Sequence, residues 1–428
     1  MIHKVHRVTL ANGAKGLFID IPDASVMSFE INFRAGEYLV ERKKWETPHI
    51  MEHMLLGANQ KFKKSKTFQA IFKKNGAYCN ASTSIYDINY QAECADFEWG
   101  RIAELLFLAV DKPLFLRNEF NSEFGNVKEE LVYRSNNHFR HLSLVMNEKF
   151  GILGMTDQER VTLMDNVKLK DVRNHYRTTH FTKNMRFVIG GKLPIERRQQ
   201  IIEIIESMSI PAGKKRLSLP KEKPAKIEEP ILIENETVKN LYFYLDTFLR
   251  RGITDPEAHA LGVLNIILTG TDYSRIFGLA REKGILYDMS SGFYKFNGNS
   301  NWFMGFQISP DNILELLDIV VREIKKVFDG KISDKDLKAA KQYALGRFQR
   351  SGQTVGNMVA NYSYTYFAEN KVDDYYKYPK KVEAVSKKQI ISVTRDLFSQ
   401  NIWGIGGLGN ADTELMMKIH QKLEILWK

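Results

Sequence analysis

The sequence predicts an α+β fold made of two tandem homologous α/β sandwich domains, each a mainly antiparallel sheet covered by helices. Three observations support this prediction: an internal duplication of about 210 residues, long helical segments in both copies, and short alternating strands between them. The intervening residues 218–230 contain three prolines and dense charge, a composition typical of linkers. We therefore place the domains at residues 1–217 and 231–428.

Corresponding elements follow the same order in both copies: a strand, a short helix ending at glycine, an alternating stretch leading into an amphipathic helix, and a final strand. In the first copy these elements are residues 27–34, 49–57, 86–110 and 184–191. In the second copy they are residues 240–247, 261–270, 299–321 and 401–407. The recurrence predicts the same topology for both sheets.

Composition excludes several classes of protein. With 43% hydrophobic residues the chain is globular, and no segment approaches the roughly 18 apolar residues of a membrane helix. The formal charge of +11 comes from short, scattered basic clusters, so we expect a solvated surface that binds neither nucleic acid nor membrane. The N-terminus lacks a secretory or transit signal, and the expected location is cytoplasmic. Cys79 and Cys94 are expected to be buried free thiols.

A candidate metal site lies in the first copy, where His49, Glu52 and His53 form the pattern H-x-x-E-H. Positions i and i+4 share one face of a helix, so both imidazoles can face one ion. Glu52 can stand beside that ion without binding it, as a base for a water molecule. Thr47 as N-cap and Gly57 as C-cap are the predicted ends of this helix.

A catalytic zinc site usually needs a third protein ligand. Residues 116–136 read as a long helix, on which Glu123 and Glu130 lie two turns apart and share a face. From the residues alone, Glu123, Glu129 and Glu130 all remain candidates.

The second copy provides an internal comparison. When Gly57 is aligned with Gly270, the three motif residues fall opposite Gly262, Asn265 and Ile266. Packing of this helix therefore does not require the three titratable side chains.

The motif, followed 77 residues after His53 by Glu130, resembles that of the pitrilysin and mitochondrial-processing-peptidase family of zinc metallopeptidases. Residues 76–84 resemble the family's glycine and asparagine-alanine strand. Residues 274–287 resemble its arginine/tyrosine segment, although the family pattern has one more residue between Arg281 and Tyr287.

The resemblance implies a zinc endopeptidase that binds one Zn²⁺ per chain through His49, His53 and Glu130. Glu52 would be the general base, and Glu123 a supporting carboxylate in the catalytic site. The implied substrate-binding residues are Asn80, Ala81, Ser82 and Thr83, on a sheet edge where a peptide adds as a strand, together with Arg281 and Tyr287.

In relatives of this length, one chain is half of a clamshell and two chains enclose a chamber that admits unfolded peptides. Because this chain carries both the zinc motif and the Arg/Tyr segment, the resemblance favours a homodimer over a heterodimer with a related subunit. The rival hypothesis is a non-catalytic or heteromer-dependent core subunit of the same family.

Overall fold

A computed structural model of the chain describes residues 1–296 and 298–428, which form two compact units. Each unit is assembled from three separate stretches of chain. Unit 1 comprises Met1–Tyr133, Gln158–Leu219 and Gln349–Tyr375, and unit 2 comprises the remaining described residues.

Unit 1 contains a mixed six-stranded sheet in the order β1-β2-β6-β3-β5-β4. The strands are β1 (Lys4–Thr9), β2 (Lys15–Asp20), β3 (Val26–Phe33), β4 (Tyr78–Thr83), β5 (Ile88–Ala95) and β6 (Met185–Gly191). β2 and β6 pair in parallel, and the other neighbouring strands are antiparallel. Strand β4 therefore lies at one edge of this sheet.

Unit 2 contains a five-stranded sheet in the order β7-β11-β8-β10-β9. The strands are β7 (Ile231–Glu234), β8 (Leu241–Leu249), β9 (Met289–Phe296), β10 (Asn299–Ile308) and β11 (Trp403–Gly409). Its order and its single parallel pair, β7 with β11, repeat the order and the parallel pair of β2-β6-β3-β5-β4. The predicted fold class and shared topology are confirmed.

Sixteen α-helices are present in the described residues. In chain order they are α1 (Thr47–Leu55), α2 (Ser65–Lys73), α3 (Trp99–Asp111), α4 (Arg117–Ser135), α5 (His138–Phe150), α6 (Asp157–Leu163), α7 (Leu169–Thr179), α8 (Ile195–Glu206), α9 (Asp255–Leu268), α10 (Phe277–Glu282), α11 (Ile313–Phe328), α12 (Asp334–Ser351), α13 (Val355–Glu369), α14 (Tyr378–Glu383), α15 (Lys387–Ser399) and α16 (Thr413–Glu424).

The two copies exchange one helix. Helix α13, from the second copy, packs on β3 and β6 of unit 1, where Val359 and Tyr366 join a buried cluster with Leu17 and Val188. Helix α5, from the first copy, packs on β8 and β11 of unit 2. The compact units are therefore discontinuous in sequence, unlike the predicted contiguous domains 1–217 and 231–428.

The segment predicted as a linker, residues 218–230, contains neither helix nor strand, but much of it packs against unit 2. Its Ile227 is buried, and the Ile227 amide donates to the carbonyl of Trp403 at 3.0 Å. The Glu222 carboxylate accepts a 2.7 Å hydrogen bond from the Leu153 amide. These contacts belong to the part of the segment from Pro220 onward, which is included in unit 2.

Cys79 and Cys94 are buried free thiols, as predicted. The glycines of Gly404–Gly409 lie inside β11, where a Cβ on Gly406 would stand 2.7 Å from the sulfur of Met146. The absence of side chains here lets α5 pack closely on the sheet.

Candidate metal centre

Helix α1 places the three motif residues because its opposite face is apolar. Ile50, Met51, Met54 and Leu55 are buried in the core of unit 1, which leaves the motif face turned toward α4 and β4. One ligand atom from each motif residue lies within 4.8 Å of the others.

Both predicted caps of α1 were wrong by one residue. Glu46 is the N-cap, and Thr47 is the first helical residue. The hydroxyl of Thr47 does not cap the helix because it donates to the preceding carbonyl of Lys44 at 2.7 Å. At the other end Leu56 is the C-cap, and Gly57 follows it with its amide donating to the carbonyl of Met54 at 3.1 Å.

Helix α4 brings Glu130 to both imidazoles. Its Oε2 lies 3.6 Å from Nε2 of His49 and 3.5 Å from Nε2 of His53. Ligand atoms about 2.0–2.2 Å from a tetrahedral zinc ion stand about 3.3–3.6 Å apart, so these separations fit a shared ion. Of the three glutamates left open by the sequence, Glu129 is exposed, and Glu130 is the one placed between the imidazoles.

Glu123 occupies the other side of His53. Its Oε2 lies 3.2 Å from Nδ1 of His53 and also accepts a 3.1 Å hydrogen bond from the amide of Asn126. The hydrogen bond from His53 holds the pKa of the Glu123 carboxyl below its ordinary value. A carboxylate on Nδ1 fixes the ring orientation and leaves Nε2 available for a metal.

Glu46 supports His49 in the same way and was missed by the sequence prediction. Its Oε2 lies 3.0 Å from Nδ1 of His49, and its carboxylate also pairs with the buried Arg160. Arg160 in turn donates to Glu37 at 2.8 Å. The position of Glu46 three residues before His49 was a detectable signal, whereas nothing in the sequence links Arg160 to the motif.

Burial and charge oppose each other in this cluster. Burial would raise the pKa of the Glu46 carboxyl, but the hydrogen bond with His49 and the charge of Arg160 lower it to about 2. Burial would lower the pKa of His53, but the carboxylates of Glu123 and Glu130 raise it to about 10. The pKa of His49 is raised for the same reason, by Glu130 and Glu46 against burial. Because carboxylates surround both imidazoles, this cluster favours a bound cation.

Glu52 is buried beside the imidazoles and faces the sheet edge. Its Oε2 accepts a hydrogen bond from the Thr83 hydroxyl at 3.3 Å, which connects the motif helix to β4. Burial raises the pKa of the Glu52 carboxyl, although the charges of His53 and His49 oppose this effect. A carboxyl with a raised pKa is suited to accept and return a proton.

The predicted substrate-binding residues fall into two groups. Asn80, Ala81, Ser82 and Thr83 all lie on the edge strand β4 of unit 1, and Asn80 and Ser82 are exposed.

Arg281 and Tyr287 lie in unit 2, where the Arg281 guanidinium donates to the Tyr287 carbonyl at 2.7 Å and stands 5.2 Å from the centre of its ring. Arg281 also lines a cavity of about 890 Å³ together with Tyr273, Ser274 and Lys326.

A repeated α/β sandwich that carries an H-x-x-E-H helix is typical of the inverzincin class of peptidases. Comparison with known families agrees with this class. Residues 31–150 match the profile described as insulinase, peptidase family M16, and residues 166–343 match the profile described as the peptidase M16 inactive domain. The chain belongs to this family, the pitrilysin or M16 peptidases.

Individual relatives are distant. An insulin-degrading enzyme homolog of Dictyostelium discoideum is 22% identical over 245 residues, which are 56% of this chain and 25% of that protein. The chain thus spans about a quarter of that relative.

Two solved structures share the fold. A protease from Helicobacter pylori has a TM-score of 0.83 at 18% identity and covers 95% of this chain and 100% of its own. A peptidase M16 inactive domain from Pseudomonas fluorescens has a TM-score of 0.82 at 16% identity, with coverages of 96% and 98%. In the described residues no helix has the length and apolar character needed to cross a membrane.

Proposed function

We propose that the chain is a zinc-dependent endopeptidase that hydrolyses unfolded peptides or small polypeptides. The observation that supports this proposal most directly is the position of Glu130, whose Oε2 lies 3.6 Å from Nε2 of His49 and 3.5 Å from Nε2 of His53. In the second copy Gly262, Asn265 and Ile266 stand opposite His49, Glu52 and His53, so the fold alone gives no reason for the three motif side chains.

His49, His53 and Glu130 would hold the zinc ion, one per chain. When bound, zinc supplies Lewis acidity, which polarises a carbonyl and lowers the pKa of water. Glu52 accepts a proton from the water that attacks the scissile carbonyl and then delivers it to the leaving nitrogen.

The substrate would add to β4 as an extended strand, since the outer backbone groups of an edge strand are available for pairing. Asn80 to Thr83 would position the peptide next to Glu52, because Thr83 already contacts that carboxylate. Arg281 and Tyr287 are the further substrate-binding residues that we propose. We propose that two chains form a homodimer that encloses a chamber. The proposed location is the cytoplasm.

The test compares wild-type protein with Glu52→Gln and with the matched control Glu129→Gln, an exposed glutamate on α4. Bound metal and cleavage of quenched peptides are measured for each chain purified alone. We expect Glu52→Gln to bind zinc normally and to lose about 10²–10⁴-fold in turnover, with Glu129→Gln unchanged.

Equal cleavage by Glu52→Gln and wild type would refute the mechanism. Bound zinc without any cleavage by the lone chain would favour the alternative, a non-catalytic or heteromer-dependent core subunit. The P. fluorescens structure described as an inactive domain shows the same fold, so the fold alone does not distinguish a peptidase from a non-catalytic subunit.

A further inference from the structure

A row of polar side chains crosses the face of the unit 1 sheet opposite α1. In the strand register, Asn32 of β3 stands directly opposite Asn89 of β5 on one side and Arg186 of β6 on the other. Directly opposed residues have Cβ atoms about 4.5–5.5 Å apart. Arg34, two residues beyond Asn32, emerges on the same face.

Arg216 joins this row without a full set of partners. Its Nη2 donates to Oδ1 of Asn32 at 3.2 Å, whereas its Nε and Nη1 are buried and have no hydrogen-bond partner in residues 1–296 and 298–428. These two nitrogens carry three N–H donors.

The neighbouring guanidinium groups of Arg34 and Arg186 donate to backbone carbonyls and an amide oxygen. Arg34 donates to the carbonyls of Leu217 at 2.7 Å and Ala368 at 3.1 Å. Arg186 donates to Oδ1 of Asn370 at 2.6 Å and to the carbonyl of Met185 at 2.7 Å. In the part of the chain that the structure describes, no carboxylate forms an ion pair with Arg34, Arg186 or Arg216.

Other buried polar atoms in the same place also lack hydrogen-bond partners among the described residues: the hydroxyls of Tyr38 and Tyr366 and Oδ1 of Asn89. Both tyrosines are close enough to Arg216 for its charge to lower their pKa values, although burial dominates and raises both.

Two carboxyl groups, Asp87 and Glu30, border this cluster; burial raises the pKa of each, while the charges of Arg216 and Arg34 act to lower that of Asp87. Burial, together with repulsion from Arg34 and Arg186, lowers the pKa of the Arg216 guanidinium to about 9. Three guanidinium groups thus lie together, and two nitrogens of Arg216 have no hydrogen-bond partner among the described residues.

Buried charges in native proteins are paired, because an unpaired buried polar group destabilises the fold and an unpaired buried charge does so more strongly. We propose that Arg34, Arg186 and Arg216 form an oxyanion-binding site, which takes a carboxylate or a phosphate through the N–H groups of Arg216 and the hydroxyls of Tyr38 and Tyr366. Guanidinium groups are well suited to both anions.

The oxyanion could come from a free anion or from an acidic group of a bound peptide. The backbone of Gly36–Tyr38 hydrogen-bonds to residues 84–86, the loop that follows β4. Tyr38 thus lies beside the end of β4, so a peptide as the source of the oxyanion rests on the proposed addition of substrate to β4, whereas a free anion requires neither zinc nor catalysis.

The test titrates inorganic phosphate, and separately an aspartate-containing peptide and its asparagine counterpart, into the full chain at constant ionic strength with chloride as reference. Arg216→Gln is compared with wild type and with Lys215→Gln, an exposed neighbour. Calorimetric affinity and the midpoint of thermal unfolding are measured.

We expect phosphate or the aspartate peptide to bind wild type and Lys215→Gln and to raise their unfolding midpoints, with at least about tenfold weaker binding to Arg216→Gln. In chloride alone, Arg216→Gln should unfold no earlier than wild type, because it removes an unpaired buried charge. A purely structural arginine would give the opposite result.

Phosphate binding identifies a free anion as the ligand, and binding of the aspartate peptide alone identifies a peptide carboxylate. Equal binding to wild type and Arg216→Gln, or no binding of either probe, would overturn the proposal.

Discussion

Substitution of Glu46 by glutamine is expected to weaken zinc binding by about 10–100-fold, or about 1.4–2.8 kcal/mol. The carboxylate is 1% exposed and stands 3.0 Å from Nδ1 of His49, so the hydrogen bond is charge-assisted and shielded from water. Glutamine keeps the shape of the side chain but removes the charge. Arg160 retains Glu37 as a partner, so we expect the fold to persist.

The assay is competition for zinc between apo protein and a chromophoric chelator, with the unfolding midpoint of the apo protein measured in parallel. Glu123→Gln provides an internal scale. Its carboxylate is 23% exposed, so its loss should cost less than the loss of Glu46. Glu129→Gln should bind zinc as tightly as wild type. Zinc binding by Glu46→Gln as tight as that of wild type would refute this role of Glu46. A loss of zinc affinity in Glu129→Gln equal to that in Glu46→Gln would refute it as well.

Three further predictions concern stability. Burial lowers the pKa of His175 to about 4, so between about pH 6.5 and 4 the unfolded chain binds a proton that the folded chain does not bind. This difference should lower the free energy of unfolding by about 2 kcal/mol from pH 7 to pH 5. In urea titrations His175→Gln should reduce this loss. Gly406→Ala should destabilise unit 2 by about 1–3 kcal/mol, because its Cβ would press on Met146 and Leu142; an unchanged urea midpoint would contradict this packing. Gly125→Ala, inside α4 with open space around it, should instead stabilise by about 0.5–1 kcal/mol, and a lower midpoint would show that the glycine is needed.

The parts of the site that follow local periodicity could be predicted from the sequence. His49 and His53 lie on one face of a helix because they are four residues apart, and a duplicated strand order follows from the repeated strand and helix pattern. The choice among Glu123, Glu129 and Glu130 required the rotation of α4 about its axis, which the three-dimensional packing sets.

Contacts between distant segments could not be predicted. Arg160 reaches Glu46 across 114 positions, and no spacing rule relates two such residues. The N-cap of α1 was misplaced because the Thr47 hydroxyl donates to the carbonyl of Lys44 instead of accepting from an amide of the helix. The sequence likewise does not identify the sheet on which the buried face of α13 packs.

The exchange of α5 and α13 has a consequence for biosynthesis. Strand β6 is complete at Gly191, but the helix that covers its second face begins at Val355. During translation the apolar patch around Leu17 and Val188 therefore stays exposed to water until most of the second copy has been made. A fragment ending near residue 217 would carry every proposed zinc ligand and still present this patch, so we expect it to aggregate. The two copies are similar in sequence order and topology, yet neither can complete its folding without a helix from the other.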